Sequence, residues 1–146
     1  TLADSSTVIG SDIDDERLAR AERARYGIRH LPAIDDHHRR CFVVADDTIE
    51  PIEYLRLRTR FVHHDIVRGP IAPPEAIVAS FHLIMVRNVL LYFKTDARRE
   101  ALARLVRTLQ PGGALVVGGT ETVSHPLLVP WPKTPIEARI YQRVPA

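Results

Sequence analysis

The sequence predicts a doubly wound α/β sheet with an antiparallel strand at its end. Three observations carry that expectation. Elements follow in the order β-α, a hairpin-like insert, then β-α-β-β. Short apolar runs end abruptly on polar residues, as at Phe81 to Val86 before Arg87-Asn88. One long amphipathic helix lies between two of those runs. The chain has 146 residues, the natural size of a single domain. At 45% hydrophobic and 26% charged, its composition is globular rather than disordered.

Thr7 to Ser11, followed by Asp12, reads as a short buried strand with an acid at its C-terminal end. Asp14-Asp15 caps a helix with turns at Leu18, Ala21 and Arg25, stopping near Tyr26-Gly27. Residues 28–40 are irregular. Cys41–Ala45 and Tyr54–His63 read as strands of a hairpin with a long acidic turn, Asp46-Asp47 to Glu50-Pro51. The second strand rests on Leu55, Leu57, Thr59 and Phe61 alternating with Arg56, Arg58, Arg60 and Val62. Residues 67–80, with three prolines, form a loop. Strand 81–86 follows, and then a helix from Asp96 with Ala97, Ala101, Leu105 and Leu109 on one stripe and Arg98, Arg99, Arg104 and Arg107 on the other face. Pro111-Gly112-Gly113 ends it. Ala114–Val117 and Ala138–Val144 are the last strands, separated by a proline-rich stretch, Ser124 to Pro135.

In doubly wound sheets a ligand sits beyond the C-terminal ends of the strands. Asp12, Asp65 and Arg87-Asn88 each follow a β-like stretch, so all fall on one rim. Pattern alone leaves two readings open, a shared ligand site or ordinary strand ends. Asp12 fits a helix cap as well as a ligand contact, and Asp65 fits a loop acid. Arg87 fits a structural ion pair, and Tyr92 fits plain core.

Ser11-Asp12-Ile13-Asp14, Ala24 to Ile28, Arg60-Phe61 with His64-Asp65-Ile66, Phe81 to Ile84 running into Arg87-Asn88-Val89-Leu90-Leu91-Tyr92-Phe93, Leu109 to Leu115 and Gly118 to Glu121 occur in series. With these motifs the chain resembles the CheR-type chemotaxis receptor glutamate methyltransferases, which use S-adenosylmethionine. Asp-Ile-Asp and Pro-Gly-Gly are common to many methyltransferases, whereas the Arg-Asn-x-x-x-Tyr-Phe segment in order with the others is specific. The resemblance implies part of a Rossmann-like class I methyltransferase domain over residues 1–146, with a small antiparallel β-subdomain at 28–63 and an antiparallel terminal strand. It implies that Asp12 accepts hydrogen bonds from the cofactor's ribose hydroxyls, a carboxylate offering paired acceptors to a vicinal diol. Asp65 and Ile66 would flank the adenine, and Arg87 and Asn88 would line the methionine end. Tyr92, with Arg87, would orient the transferring methyl group and the incoming carboxylate. The implied reaction is transfer of a methyl group to a receptor glutamate, giving a methyl ester and S-adenosylhomocysteine. The β-subdomain corresponds to one that in some members docks a receptor peptide by adding a strand.

Two departures from the family stand out. Before the Asp12 strand, members carry a first strand, a glycine-rich loop ending in paired glutamates and a helical domain. Here the first glycine is Gly10. The expectation is a C-terminal catalytic part that binds the cofactor weakly alone and self-associates through an exposed sheet edge. Gly119-Thr120 also stands where the family has His-Ser. The rival readings are a degenerate domain serving as a docking module and a nicotinamide-binding enzyme, against which the Arg-Asn-x-x-x-Tyr-Phe segment argues.

Composition narrows the partners. A net charge of +2, from 20 basic and 18 acidic residues, gives no nucleic-acid footprint. Charges interrupt every stretch well short of the roughly 20 apolar residues of a membrane span. The single cysteine, Cys41, permits no internal disulfide and fits a cytoplasmic protein. His37-His38 and His63-His64 do not read as a metal site, because adjacent strand residues point to opposite faces. The arginine face at 96–109 fits a solvated surface, or a contact with the acidic receptor helices that the resemblance implies.

Overall fold

The structure is a computed structural model that describes residues 6–74, 76, 80–132 and 139–145. Parts of the expected 67–80 loop (75 and 77–79), the end of the proline-rich stretch (133–135) and Ala138 lie outside the described residues. The chain divides into two compact units, Thr1–His64 and Asp65–Ala146.

In the first unit, strand β1 (Val8–Asp12) pairs in parallel with β5 (Thr59–His63), Asp12 standing opposite His63. Helix α1 (Asp15–Arg23) follows β1. Asp14 caps it by accepting hydrogen bonds from the Glu16 and Arg17 backbone N–H groups at 2.9 and 3.2 Å. The helix ends earlier than the glycine at 27 suggested. Buried Ala24 takes the left-handed conformation (φ 50°), and Tyr26–Gly27 become strand β2 instead.

A separate three-stranded antiparallel sheet has the order β2-β4-β3, with β3 spanning Phe42–Ala45 and β4 Thr48–Pro51. Its turn is only Asp46-Asp47, Asp46 being left-handed (φ 51°), and Thr48 Oγ1 donates to the Ala45 carbonyl at 2.9 Å. The expected long acidic turn is therefore wrong: Glu50 and Pro51 are strand residues facing Val43 and Phe42. The expected strand from Tyr54 also fails in its first half. Asp36–Arg39 is a single helical turn, α2, and Glu53–Leu57 is a helix, α3. The Arg58 guanidinium stacks over the Tyr54 ring at 3.9 Å, an i, i+4 contact that helical spacing brings together. The alternation of leucine and arginine did not track burial, as Leu57 is exposed. From Thr59 on the chain is a strand, but its partner is β1 rather than a hairpin neighbour.

The second unit is a four-stranded sheet in the order β6-β7-β9-β8. Strand β6 (Phe81–Val86) runs parallel to β7 (Leu109–Val117), with helix α4 (Thr95–Thr108) between them in the chain. Strand β9 (Ile140–Arg143) is antiparallel to β7, and β8 (Leu128–Pro130) lies antiparallel on the outer edge, where a proline does not interrupt a ladder. The Pro111-Gly112-Gly113 sequence does not separate helix from strand as expected; β7 runs through it. Gly112 takes φ 83°, and the pairing with β6 shifts register between Phe81 and Leu83. The core comprises Val86, Leu90, Ala101, Leu102, Val106, Leu109, Leu115, Val117, Val123 and Tyr141.

The arginine face of α4 is only partly solvated. Arg98 donates to the Thr122 carbonyl at 2.5 Å, and Arg104 to the Gly69 carbonyl and to the Pro70 carbonyl at 2.8 Å, tying two loops to the helix. Arg99 pairs with Asp96 at 2.7 Å on the surface. Among the described residues no helix is long and apolar enough to cross a membrane.

Candidate functional site

Asp12 is the last residue of β1, half-buried, and it is not the cap of α1, a role Asp14 takes. Its Oδ1 accepts the Asp14 backbone N–H at 3.1 Å, and its Oδ2 lies 4.0 Å from Arg17 Nη1. One oxygen thus sets the turn, while the carboxylate keeps acceptor capacity for another donor. Asp65 opens the second unit. Its Oδ1 accepts the Val67 and Arg68 N–H groups at 2.8 and 3.0 Å, and its carbonyl accepts the Gly69 N–H at 2.9 Å. Asp65 therefore organises its own loop, and Ile66 packs partly against the core.

Arg87, Asn88 and Tyr92 sit together on the turn that follows β6. Arg87 and Asn88 are exposed, and Tyr92 is 79% exposed, which excludes the plain-core reading. The turn is held from below by Leu90, fully buried, and by Phe93, packed on the core. A short 3-10 segment, Leu90–Tyr92, turns the chain toward α4. Asn88 is left-handed (φ 58°), a conformation asparagine adopts more readily than most residues.

Sequence reasoning missed the residue that organises this turn. Glu121 is 2% exposed. Its Oε2 accepts the Gly118 N–H at 2.7 Å and the Asn88 N–H at 2.8 Å, and its Oε1 accepts the Leu91 N–H at 3.1 Å. Burial pushes its carboxyl up, but the backbone N–H groups of Gly118, Asn88, Leu91 and Leu90 together outweigh that and hold it below the ordinary carboxylate range. Gly118 makes the approach feasible. A Cβ there would stand 2.7 Å from Glu121 Oε2 and 2.9 Å from the Asn88 nitrogen, and would also run into Asn88 Oδ1. The available signal was a carboxylate four residues beyond the end of an apolar strand, in Gly118-Gly119-Thr120-Glu121.

A cleft of about 770 Å³ belongs to the first unit and is lined by Ala21, Tyr26, Phe42, Leu55, Arg56 and Phe61 among others. None of Asp12, Asp65, Arg87, Asn88 or Tyr92 lines it. Among the described residues no group of three or more histidine, cysteine or acidic side chains could hold a metal ion. His37 instead meets Arg40, and His63 Nδ1 lies 2.9 Å from Asp15 Oδ1.

A chemotaxis protein methyltransferase of Listeria innocua is 28% identical over 120 residues, covering 82% of this chain and 44% of the relative. One from Escherichia coli K12 is 30% identical over 122 residues, 81% of this chain and 42% of the relative. A shorter match, 38% over 50 residues, joins 34% of the chain to 18% of chemotaxis protein methyltransferase 1 of Pseudomonas aeruginosa. The chain thus spans less than half the length of these relatives. The family model described as the CheR methyltransferase, SAM binding domain, matches residues 2–132. The mixed parallel and antiparallel α/β fold is accordingly part of a Rossmann-like methyltransferase domain, and the chain belongs to the CheR methyltransferase SAM-binding domain family.

Proposed function

We propose that the protein carrying this chain is a cytoplasmic, S-adenosylmethionine-dependent methyltransferase that esterifies glutamate side chains of chemotaxis receptors. The observation that carries this reading is the Arg87-Asn88 to Tyr92-Phe93 segment, which exposes Arg87, Asn88 and Tyr92 beyond the C-terminal end of a parallel strand within the family match. Asp12, half-buried at its strand end, has acceptor capacity for a ribose diol, and Asp65 with Ile66 would flank the adenine. Arg87 and Asn88 would hold the methionine end.

When bound, S-adenosylmethionine supplies an electrophilic methyl group on a sulfonium. A glutamate carboxylate is already ionised at neutral pH, so the protein need supply no general base. Its task is to place the carboxylate oxygen in line with the methyl group and to exclude water, because opposite charges neutralise in the transition state. Arg87 suits electrostatic placement of the incoming carboxylate, and the exposed Tyr92 hydroxyl suits its orientation. Self-association through the edge of β1, hydrogen-bonded to β5 alone among the described residues, is proposed on its own footing and is tested by light scattering.

The test is calorimetry with S-adenosylhomocysteine and transfer of labelled methyl to a receptor fragment, on the full-length protein. Asp12→Ala should weaken binding by about 1–3 kcal/mol, the scale for leaving hydrogen bonds unmade. Unchanged affinity removes Asp12 from the site, and a full-length protein that methylates no receptor glutamate overturns the proposal.

A further inference from the structure

We infer that Glu121 is a positioning residue for methyl transfer: its buried carboxylate, bridging the ends of β6 and β7, fixes the turn that presents Arg87, Asn88 and Tyr92. This rests on the reading of the preceding section. Gly118 directly follows β7 and Asn88 stands two residues beyond β6, and one oxygen, Oε2, joins the two strand ends through the 2.7 and 2.8 Å bonds. The other oxygen holds Leu91, the residue before Tyr92. Three donors thus converge on a single side chain that is itself shielded from solvent and so acts through its neighbours.

The bonds set conformation as well as position. Asn88 is kept left-handed, and the turn is pinned on one side by Glu121 and on the other by Leu90 in the core. Gly118 contributes by having no side chain where the Asn88 amide and Glu121 approach. A carboxylate suits this place because both of its oxygens accept from N–H groups. A glutamine of the same shape replaces one acceptor with an NH2 group. It must then present a donor to Gly118 and Asn88, or to Leu91.

The experiment compares wild type with Glu121→Gln in the full-length protein, at a temperature well below both unfolding midpoints. Hydrogen exchange should speed up at the Asn88, Leu91 and Gly118 amides while the Leu115 and Tyr141 amides keep their protection. S-adenosylhomocysteine should bind at least tenfold more weakly and kcat should fall at least tenfold, with KM for the receptor fragment within threefold of wild type. A purely structural role would lower the midpoint but leave affinity and kcat unchanged at that temperature, and this result overturns the inference. If wild type itself binds no S-adenosylhomocysteine, the methyltransferase reading fails and the positioning role falls with it. Exchange then still decides separately whether Glu121 holds the turn, and unchanged protection at all three amides denies even that.

Discussion

Replacing Gly118 by alanine tests the packing around Glu121 with a single added carbon. The new Cβ would sit 2.7 Å from Glu121 Oε2 and 2.9 Å from the Asn88 nitrogen, closer than such atoms approach in real structures. The Asn88 carboxamide can swing aside. The Asn88 backbone and the Glu121 carboxylate have less freedom, because each is held by the other at 2.8 Å. Overpacking of this kind costs about 1–3 kcal/mol. Relief of the clash breaks one bond to the charged carboxylate, at a further loss of about 1.5–3 kcal/mol. The expected destabilisation is therefore roughly 2.5–6 kcal/mol. For a chain of this size each kcal/mol moves the midpoint by about 2–4 °C, so the fall should be at least about 5 °C. Gly119→Ala is the control, since nothing lies within 4 Å of its Cβ position and its φ is not left-handed. It should change stability by no more than about 0.5 kcal/mol. Thermal unfolding of the two variants side by side reads the difference, and equal midpoints would refute the tight approach of β7 to the Asn88 turn.

Three further outcomes follow from the same geometry. Because Glu121 is held below the ordinary carboxylate range, its stabilisation is complete above the unfolded value of about 4.3 and is lost as pH falls through the lower folded value. Wild type should therefore lose more stability than Glu121→Gln on titration from pH 5 downward, and parallel curves would show that the carboxylate charge contributes nothing. Tyr92→Phe in the full-length protein should lower kcat more than it weakens S-adenosylhomocysteine binding, because the exposed hydroxyl is assigned to orienting the reacting groups; equal losses in both would count against that assignment. Gly112→Ala should cost about 1–2 kcal/mol because φ is 83° there, although the Cβ position is open, and an unchanged midpoint would mean the bend in β7 relaxes freely.

How far these features were legible in the sequence depends on how local their causes are. The strand ending at Asp12, strand Phe81–Val86 and the amphipathic α4 are specified by their own apolar patterns; Phe81–Val86 has the expected bounds and the other two differ by about a residue. Tyr54–Leu57 was misread because leucine and arginine alternate there without an alternating environment. Arg58 packs on Tyr54 one helical turn away, and periodicity alone carries no trace of that contact. Pro111-Gly112-Gly113 read as an interruption because proline and glycine usually break elements. In β7 they instead accommodate a register shift, with Gly113 lying where a Cβ would stand 3.0 Å from the His82 carbonyl oxygen.

The candidate site shows the same division. Arg87 and Asn88 stood out because polar groups between two apolar runs are conspicuous within a few residues of sequence, whereas Tyr92 entered only through the family resemblance. Glu121 did not, because glutamate is mostly a surface residue and Gly118-Gly119-Thr120-Glu121 reads as a loop. Its burial depends on N–H groups supplied by Asn88 and Leu91, 33 and 30 residues earlier, which converge only once β6 and β7 lie side by side in parallel. Burying a carboxylate is costly unless hydrogen bonds replace the lost water. Here they come from the turn that the carboxylate itself holds. Exposed Arg87 and Tyr92 can therefore be placed reproducibly without being packed into the core, their precision borrowed from a buried charge on the adjacent strand end.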